Sequence, residues 1–120
     1  MRRLKMKAAF AGVSLFACAA AHAGGFSLSA VPTKIDLVRA EGFMVYGEFG
    51  NPAGCSGGNA MFIRANNPDY KLMYAAALAA LTSKQKLYGY VHKCEPLSWY
   101  SIETYTYNII TMDGTLSITN

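Results

Sequence analysis

The sequence predicts an α+β domain that is mostly β, with one helix between the third and fourth strands. Two observations lead to this class. Short segments rich in β-branched and aromatic residues alternate in polarity along much of residues 34–119, as half-buried strands do. Residues 66–83 instead open with an Asn-Pro helix start and continue with strong helix formers. The resulting order is β-β-loop-β-α-β-β-β.

Residues 1–23 have the organisation of a cleavable secretory signal peptide. Basic residues precede an apolar run over residues 8–21, and Ala21-His22-Ala23 supplies the small-residue cleavage site. The run is shorter than the roughly 20 residues that a transmembrane helix needs, so no membrane anchor is expected. Cys18 follows an apolar triplet, which leaves a lipoprotein signal as the alternative. We expect the mature chain to be residues 24–120, a single domain that is periplasmic or secreted.

The net charge of the whole chain, +4 from eleven basic and seven acidic residues, belongs largely to that segment. Arg2, Arg3, Lys5 and Lys7 lie within it, and their removal leaves seven basic against seven acidic residues. A nucleic-acid-binding domain typically carries a basic stripe, and the mature chain has none. No nucleic-acid partner is expected.

Removal of residues 1–23 also removes Cys18 and leaves two cysteines, Cys55 and Cys94. In an oxidising compartment, an even pair of cysteines in a small domain predicts a disulfide. Two free thiols are the alternative. A metal site is disfavoured because only His92 lies near the pair, and no cofactor is expected.

The first half of the mature chain predicts a hairpin, a glycine-rich loop and a third strand. The segments are a strand over residues 34–40, a turn at Glu41-Gly42, a strand over residues 43–49, a loop over residues 50–59 and a strand over residues 60–64. Within the loop, Gly54-Cys55-Ser56-Gly57-Gly58 resembles a phosphate-binding cradle, but no strand-to-helix junction follows it directly. A loop anchored by its cysteine is the plainer interpretation.

Residues 66–83 predict a helix that follows an asparagine cap and has Pro68 at its first position. A stripe suited to the core consists of Tyr70, Met73, Tyr74, Ala77 and Leu81. No charged residue occurs between Lys71 and Lys84, so the rest of the helix surface is unusually apolar. That surface predicts a contact with a second copy of the chain, through Leu72, Ala75, Ala76 and Ala79. An alanine-rich surface helix on a monomer is the alternative.

The second half of the mature chain predicts three further strands. Residues 86–94 alternate in burial preference, which places one aromatic set on a single face, namely Tyr88, Tyr90 and His92. Residues 98–112 are rich in Tyr, Thr and Ile, as strands are. Asp113-Gly114 predicts a tight hairpin turn into a last strand over residues 115–119.

One helix between the third and fourth strands is the connectivity of an OB-fold barrel, here with five or six strands. Residues 70–78 and 86–94, YKLMYAAAL and KLYGYVHKC, resemble the helix-then-strand unit of small secreted OB-fold proteins. Those proteins are similar to the B subunits of the subtilase-cytotoxin and pertussis-toxin group. The resemblance implies a ring-forming domain that binds glycans. It carries over no receptor-binding residue, and a disulfide from Cys55 to Cys94 spans further than the short cysteine loops of the toxin subunits.

The aromatic residues after Pro96 are the best candidates for a ligand site. They are Trp99, Tyr100, Tyr105 and Tyr107, and alternation places the last two on one strand face. Flat rings beside hydroxyl and amide groups suit sugar stacking, and they equally suit a protein interface. Packing inside a small barrel is the alternative.

The sequence carries no comparable catalytic constellation. His92 and Glu95 flank Lys93-Cys94 as a base and its partner, but a nucleophile is lacking once Cys94 is oxidised. We therefore expect a non-enzymatic binding module whose ligand is a glycan or a protein. A periplasmic inhibitor or immunity-type protein that acts through one constrained loop is the alternative, and a small hydrolase comes third.

Overall fold

The computed structural model describes residues 24–97 and 104–120, and within them it confirms an α+β fold that is mostly β. The elements are β1 (Gly25–Phe26), β2 (Lys34–Val38), β3 (Gly42–Tyr46), β4 (Gly57–Arg64), α1 (Tyr70–Ser83), β5 (Lys86–Val91), β6 (Lys93–Pro96), β7 (Thr106–Ile110) and β8 (Thr115–Thr119). The short β1 was not predicted. With β1 counted, the helix follows the fourth strand instead of the third.

The described strands form two sheets, a five-stranded sheet in the order β2-β3-β4-β7-β6 and a three-stranded sheet in the order β1-β5-β8. All pairs are antiparallel except β4 and β7, which run parallel. Among the described strands, the two sheets are not closed into a barrel. The predicted hairpin of β2 and β3 is confirmed, although its turn lies at residues 39–41 instead of at Glu41-Gly42, and Gly42 begins β3.

The segment predicted as one strand over residues 86–94 changes sheets at His92. Val91 pairs with Gly25 in the three-stranded sheet, whereas Lys93 pairs with Ile109 in the five-stranded sheet. Alternation along a strand describes its two faces but not the sheet to which each half belongs. The prediction therefore placed the side chains correctly and missed the bend.

The hairpin predicted at Asp113-Gly114 is wrong. A turn does form, because the Gly114 amide donates to the Thr111 carbonyl at 2.8 Å. The strands on either side belong to different sheets, however, since β7 pairs with β4 and β6 while β8 pairs with β5. Turn residues dictate a local reversal of the chain, and they leave the hydrogen-bonding partner to be chosen by tertiary packing.

The helix begins at Tyr70, later than predicted, with Asp69 as a cap residue that makes no side-chain cap bond. The Asn67 side chain accepts from the Asp69 amide at 2.9 Å and donates to the Ile110 carbonyl at 3.3 Å. Asn67 therefore ties the entry of the helix to the end of β7 instead of capping the helix.

Within residues 24–97 and 104–120, two apolar clusters lie on opposite faces of the five-stranded sheet. The main cluster fills the space between this sheet, the helix and β5, and its members include Phe43, Met61, Met73, Ala77 and Leu87. The second cluster consists of Met44, Ala60, Phe62, Leu97 and Ile109, all buried. Because both faces of the sheet are covered, the sequences of the central strands β3 and β4 are continuously apolar instead of alternating between apolar and polar residues.

The predicted disulfide between Cys55 and Cys94 is present, with the two Cα atoms 5.4 Å apart. Beside it, the buried Asn108 side chain accepts from the Ala53 amide at 3.1 Å. The same side chain donates to Asn51 Oδ1 at 3.0 Å and to the Gly57 carbonyl at 3.2 Å. The glycine-rich loop is thus fixed to β6 by a covalent bond and to β7 by hydrogen bonds.

Reduction of this disulfide is expected to lower the free energy of unfolding by about 4 kcal/mol, because it releases a closed loop that spans a sequence separation of 39. Urea denaturation with and without reductant measures the difference. The Cys55→Ala/Cys94→Ala protein is the control, and reductant should leave its stability unchanged. Two thiols that react readily with an alkylating reagent in the native protein would contradict the prediction.

Candidate functional site

The outer side of the three-stranded sheet carries a row of aromatic side chains. Along β5, Leu87 and Val91 are fully buried, and the alternate positions point away from the main core. The alternate positions are occupied by Tyr88, Tyr90 and, at the bend, His92, all of which are partly exposed. The alternation predicted for this strand is confirmed.

Phe26 extends the row from the neighbouring strand β1, where it pairs with Tyr90. The two rings meet edge to face with centroids 4.7 Å apart. The Phe26 ring also meets the Tyr88 ring edge to face, with centroids 6.0 Å apart. The Tyr90 ring lies 4.8 Å from the His92 ring. Phe26 is nevertheless 63% exposed. We call these four residues the aromatic face.

Hydroxyl groups border the aromatic face along β8. Thr115 pairs with Tyr90, and Ser117 pairs with Tyr88. Paired residues of antiparallel strands project to the same side of a sheet, so these hydroxyls lie beside the rings. The surface therefore combines flat apolar groups with hydrogen-bonding groups that accept and donate.

Of the four aromatic residues predicted to bind a ligand, Tyr105 and Tyr107 come together, and Trp99 and Tyr100 lie outside the described residues. Tyr107 lies in β7 and Tyr105 directly precedes this strand; their ring centroids are 5.2 Å apart, which agrees with the predicted shared face. Both rings pack over Gly57, where a Cβ atom would lie 2.9 Å from the Tyr105 ring. Tyr107 packs against the second cluster, and Tyr105 is 37% exposed.

The aromatic face is the surface that the sequence interpretation missed as a site. The alternation of residues 86–92 already placed Tyr88, Tyr90 and His92 on one side, and that signal was sufficient to propose three of its members. Phe26 could not be added from sequence, because its pairing with Tyr90 is a long-range contact of a two-residue strand.

The titratable cluster at residues 92–95 does not form a base–acid pair. Glu95 instead accepts from Arg64, with its Oε1 atom 2.9 Å from Nε, and its Oε2 atom lies 2.7 Å from Lys93 Nζ. His92 contacts Thr111, whose hydroxyl oxygen is 3.4 Å from Nδ1. Cys94 is held in the disulfide. His92, Cys94 and the Lys93–Glu95 ion pair thus have separate structural partners.

The fold changes the pKa of Glu95, the carboxylate of this cluster. Partial burial acts to raise its pKa, but the hydrogen bonds and positive charges of Lys93 and Arg64 outweigh burial and lower the pKa below its ordinary value of 4.5. The ionised carboxylate is therefore the form that the folded protein favours at neutral pH.

The outer surface of α1 is as apolar as predicted. Leu72 is 72% exposed, Ala75 and Ala79 are exposed, and Ala76 is half-buried. The core-facing side differs in one position from the prediction, because Ala80 is fully buried while Leu81 is only partly so. Among residues 24–97 and 104–120, no helix has the length and apolar character needed to cross a membrane.

Comparison with known proteins finds no matching family model, no matching curated protein and no matching solved structure.

Glu95→Gln should reduce stability at neutral pH by up to about 1 kcal/mol, because it removes the charge that pairs with Arg64 and Lys93. The lowered pKa of Glu95 means that this contribution is complete above 4.5 and is lost as the pH falls through the lowered pKa. Urea unfolding at several pH values should therefore show wild type and variant converging under acid conditions. Glu48→Gln, which changes an exposed carboxylate, is the control, and a pH-independent gap for Glu95→Gln would contradict the assignment.

The helix surface predicts self-association. Ala76→Glu, or Ala75→Glu at the exposed neighbouring position, should shift the mass measured by light scattering toward the monomer, because a charge would be buried in the contact. Ala40→Glu adds the same group in the exposed turn after β2 and should leave the mass unchanged. A wild-type protein that stays monomeric at high concentration would refute the contact.

Proposed function

We propose that this protein is an exported, non-enzymatic module that binds glycans on its aromatic face. The observation that carries the proposal is the edge-to-face contact between the exposed Phe26 ring and the partly exposed Tyr90 ring. Sugar rings present apolar C–H faces, and such faces stack on flat aromatic side chains while their hydroxyl groups need hydrogen-bonding partners. Thr115 and Ser117 supply hydroxyl groups at the border of the rings.

An OB-fold-type barrel is the architecture we propose for this module. Two chain segments support it by contributing to both sheets, residues 25–38 through β1 and β2 and residues 86–96 through β5 and β6. Ala30 bridges to Leu87 between β1 and β2, so the first segment stays beside β5 before it bends away. Counting each bent segment as one strand produces a five-membered circuit with β3, β4 and β7, and the helix then follows its third strand.

Export is part of the same proposal. The disulfide between Cys55 and Cys94 is compatible with an oxidising compartment, where structural disulfides persist. The N-terminal segment with its basic start and Ala21-His22-Ala23 provides the route. The two features are independent of each other, since the disulfide lies wholly within the folded domain.

Protein inhibition through a constrained loop is the second candidate, and the loop at residues 50–57 favours it. The Asn51 side chain forms two hydrogen bonds with the Cys55 backbone. It accepts from the Cys55 amide at 2.8 Å and donates to the Cys55 carbonyl at 2.7 Å. With the disulfide and Asn108, these bonds hold a loop whose Asn51, Gly54 and Ser56 are exposed. A loop that is already ordered loses little entropy on binding, which favours tight protein contacts.

A glycan array separates the two candidates and tests the site. The wild-type protein should bind a restricted set of glycans, and Phe26→Ala should weaken that binding about three- to tenfold, since one aromatic contact contributes about 0.5–1.5 kcal/mol. Phe26 is mostly exposed, so the variant is expected to fold. Leu37→Ala removes a side chain of similar exposure from the other sheet and should have no effect.

Two results would change the conclusion. Loss of binding in Tyr105→Ala but not in Phe26→Ala would move the site to the five-stranded sheet. Absence of binding to every glycan, together with stoichiometric capture of an enzyme that depends on residues 50–57, would favour the inhibitor.

A further inference from the structure

A cavity of about 270 Å³ opens at one end of the five-stranded sheet, apart from the aromatic face. It lies where β4 ends at Arg64, β7 ends at Ile110 and β6 begins at Lys93. Ile109 and Ile110 are buried and form apolar lining, and the exposed Met112 side chain adds to it. The cavity therefore has an apolar base, which favours a ligand with an apolar group over a fully hydrated ion.

The polar lining of this cavity is dominated by cations. Arg64 and Lys93 converge on the single carboxylate of Glu95, which bonds to one of them through each oxygen. Among the described residues that line the cavity, Glu95 is the one acidic side chain. Two positive charges against one negative charge leave the lining with an excess of one positive charge.

Hydrogen-bond donors are also in excess. A guanidinium group has five N–H donors, and Glu95 takes two nitrogens of Arg64, Nε and Nη2. An ammonium group has three donors, and one contact from Lys93 reaches Glu95. The Asn66 amide and the Thr111 hydroxyl line the same space. The cavity thus offers several donors around a positive site next to apolar carbon.

We propose that this cavity binds a carboxylate carried on a short apolar group. The carboxylate accepts from Arg64 and Lys93, and the apolar group covers Ile109 and Met112. Such a ligand is either a free small acid or the C-terminal residue of a peptide. The proposal does not rest on glycan binding, because none of its residues belongs to the aromatic face.

Binding is measured by NMR titration of the isotope-labelled protein with N-acetyl-leucine and with N-acetyl-leucinamide, which differ only in the terminal group, a carboxylate in one and a neutral carboxamide in the other. The acid should bind at least tenfold more tightly than the amide, because charge-assisted hydrogen bonds are the stronger class. Its shifts should centre on the amides of Lys93, Thr111 and Met112. Equal affinities for acid and amide, or shifts centred elsewhere, would overturn the proposal.

Butyrate distinguishes the two sources of the carboxylate. Affinity for butyrate equal to that for N-acetyl-leucine supports a free small acid, and markedly weaker affinity supports a peptide C-terminus. If neither acid causes a detectable shift at millimolar concentration, the carboxylate site is refuted, both for a free small acid and for a peptide C-terminus.

Lys93→Gln should reduce the affinity for N-acetyl-leucine about tenfold. The Lys93 side chain is 56% exposed, so Lys93→Gln is expected to fold even if Arg64→Gln fails to fold. Lys34→Gln is the matched control, because Lys34 also pairs with an acidic residue, Asp36, but lies on β2 at the opposite edge of the sheet. Arg64→Gln/Glu95→Gln replaces the partly buried ion pair by neutral amides and should also lose binding. Unchanged affinity in Lys93→Gln would overturn the assignment.

Discussion

The buried side chain of Asn108 lies where the glycine-rich loop, β4 and the disulfide meet. Its amide bonds Ala53, Asn51 and Gly57, and its own strand partner on β6 is Cys94. A buried amide left without partners costs more than the bonds it forms contribute, so the segments that supply these partners stabilise one another. The disulfide adds a covalent link at the same point, from Cys94 to the loop at Cys55. The order β4-β7-β6, including its parallel pair, depends on this arrangement.

Both candidate sites follow from the position of β6 in that order. With Cys94 fixed beside Asn108, β6 must lie in the five-stranded sheet, while β5 remains in the three-stranded sheet. The bend at His92 therefore separates two sets of side chains that are adjacent in sequence. Tyr88 and Tyr90 stay on the aromatic face, whereas Lys93 and Glu95 join Arg64 at the cavity. His92 and Thr111, in contact across the bend, mark the boundary between the two surfaces.

Local patterns in the sequence predicted the parts of this structure that depend on neighbouring residues. The β2–β3 hairpin, the helix and the alternation of β5 are of this kind, and so is the shared face of Tyr105 and Tyr107. Long-range choices were not predictable. The strong turn at Asp113-Gly114 indicated a hairpin, but β8 pairs with β5 and packs Leu116 against the main core. The partners of Arg64 and Glu95 were likewise hidden, because the two residues meet only through the parallel pairing of β4 with β7 and the pairing of β7 with β6.

Stability alone does not account for the aromatic face. Hydrophobic stabilisation scales with the apolar area removed from water, and Phe26 leaves 63% of its surface exposed, so folding gains little from a phenylalanine at this position. The contact with Tyr90 instead orients an exposed ring on the paired strands β1 and β5. With seven basic and seven acidic residues in 24–120, charge repulsion also does little to keep such surfaces apart. An ordered, exposed ring beside hydroxyl groups on a nearly neutral domain has a physical rationale when a ligand covers it, and the glycan proposal supplies one.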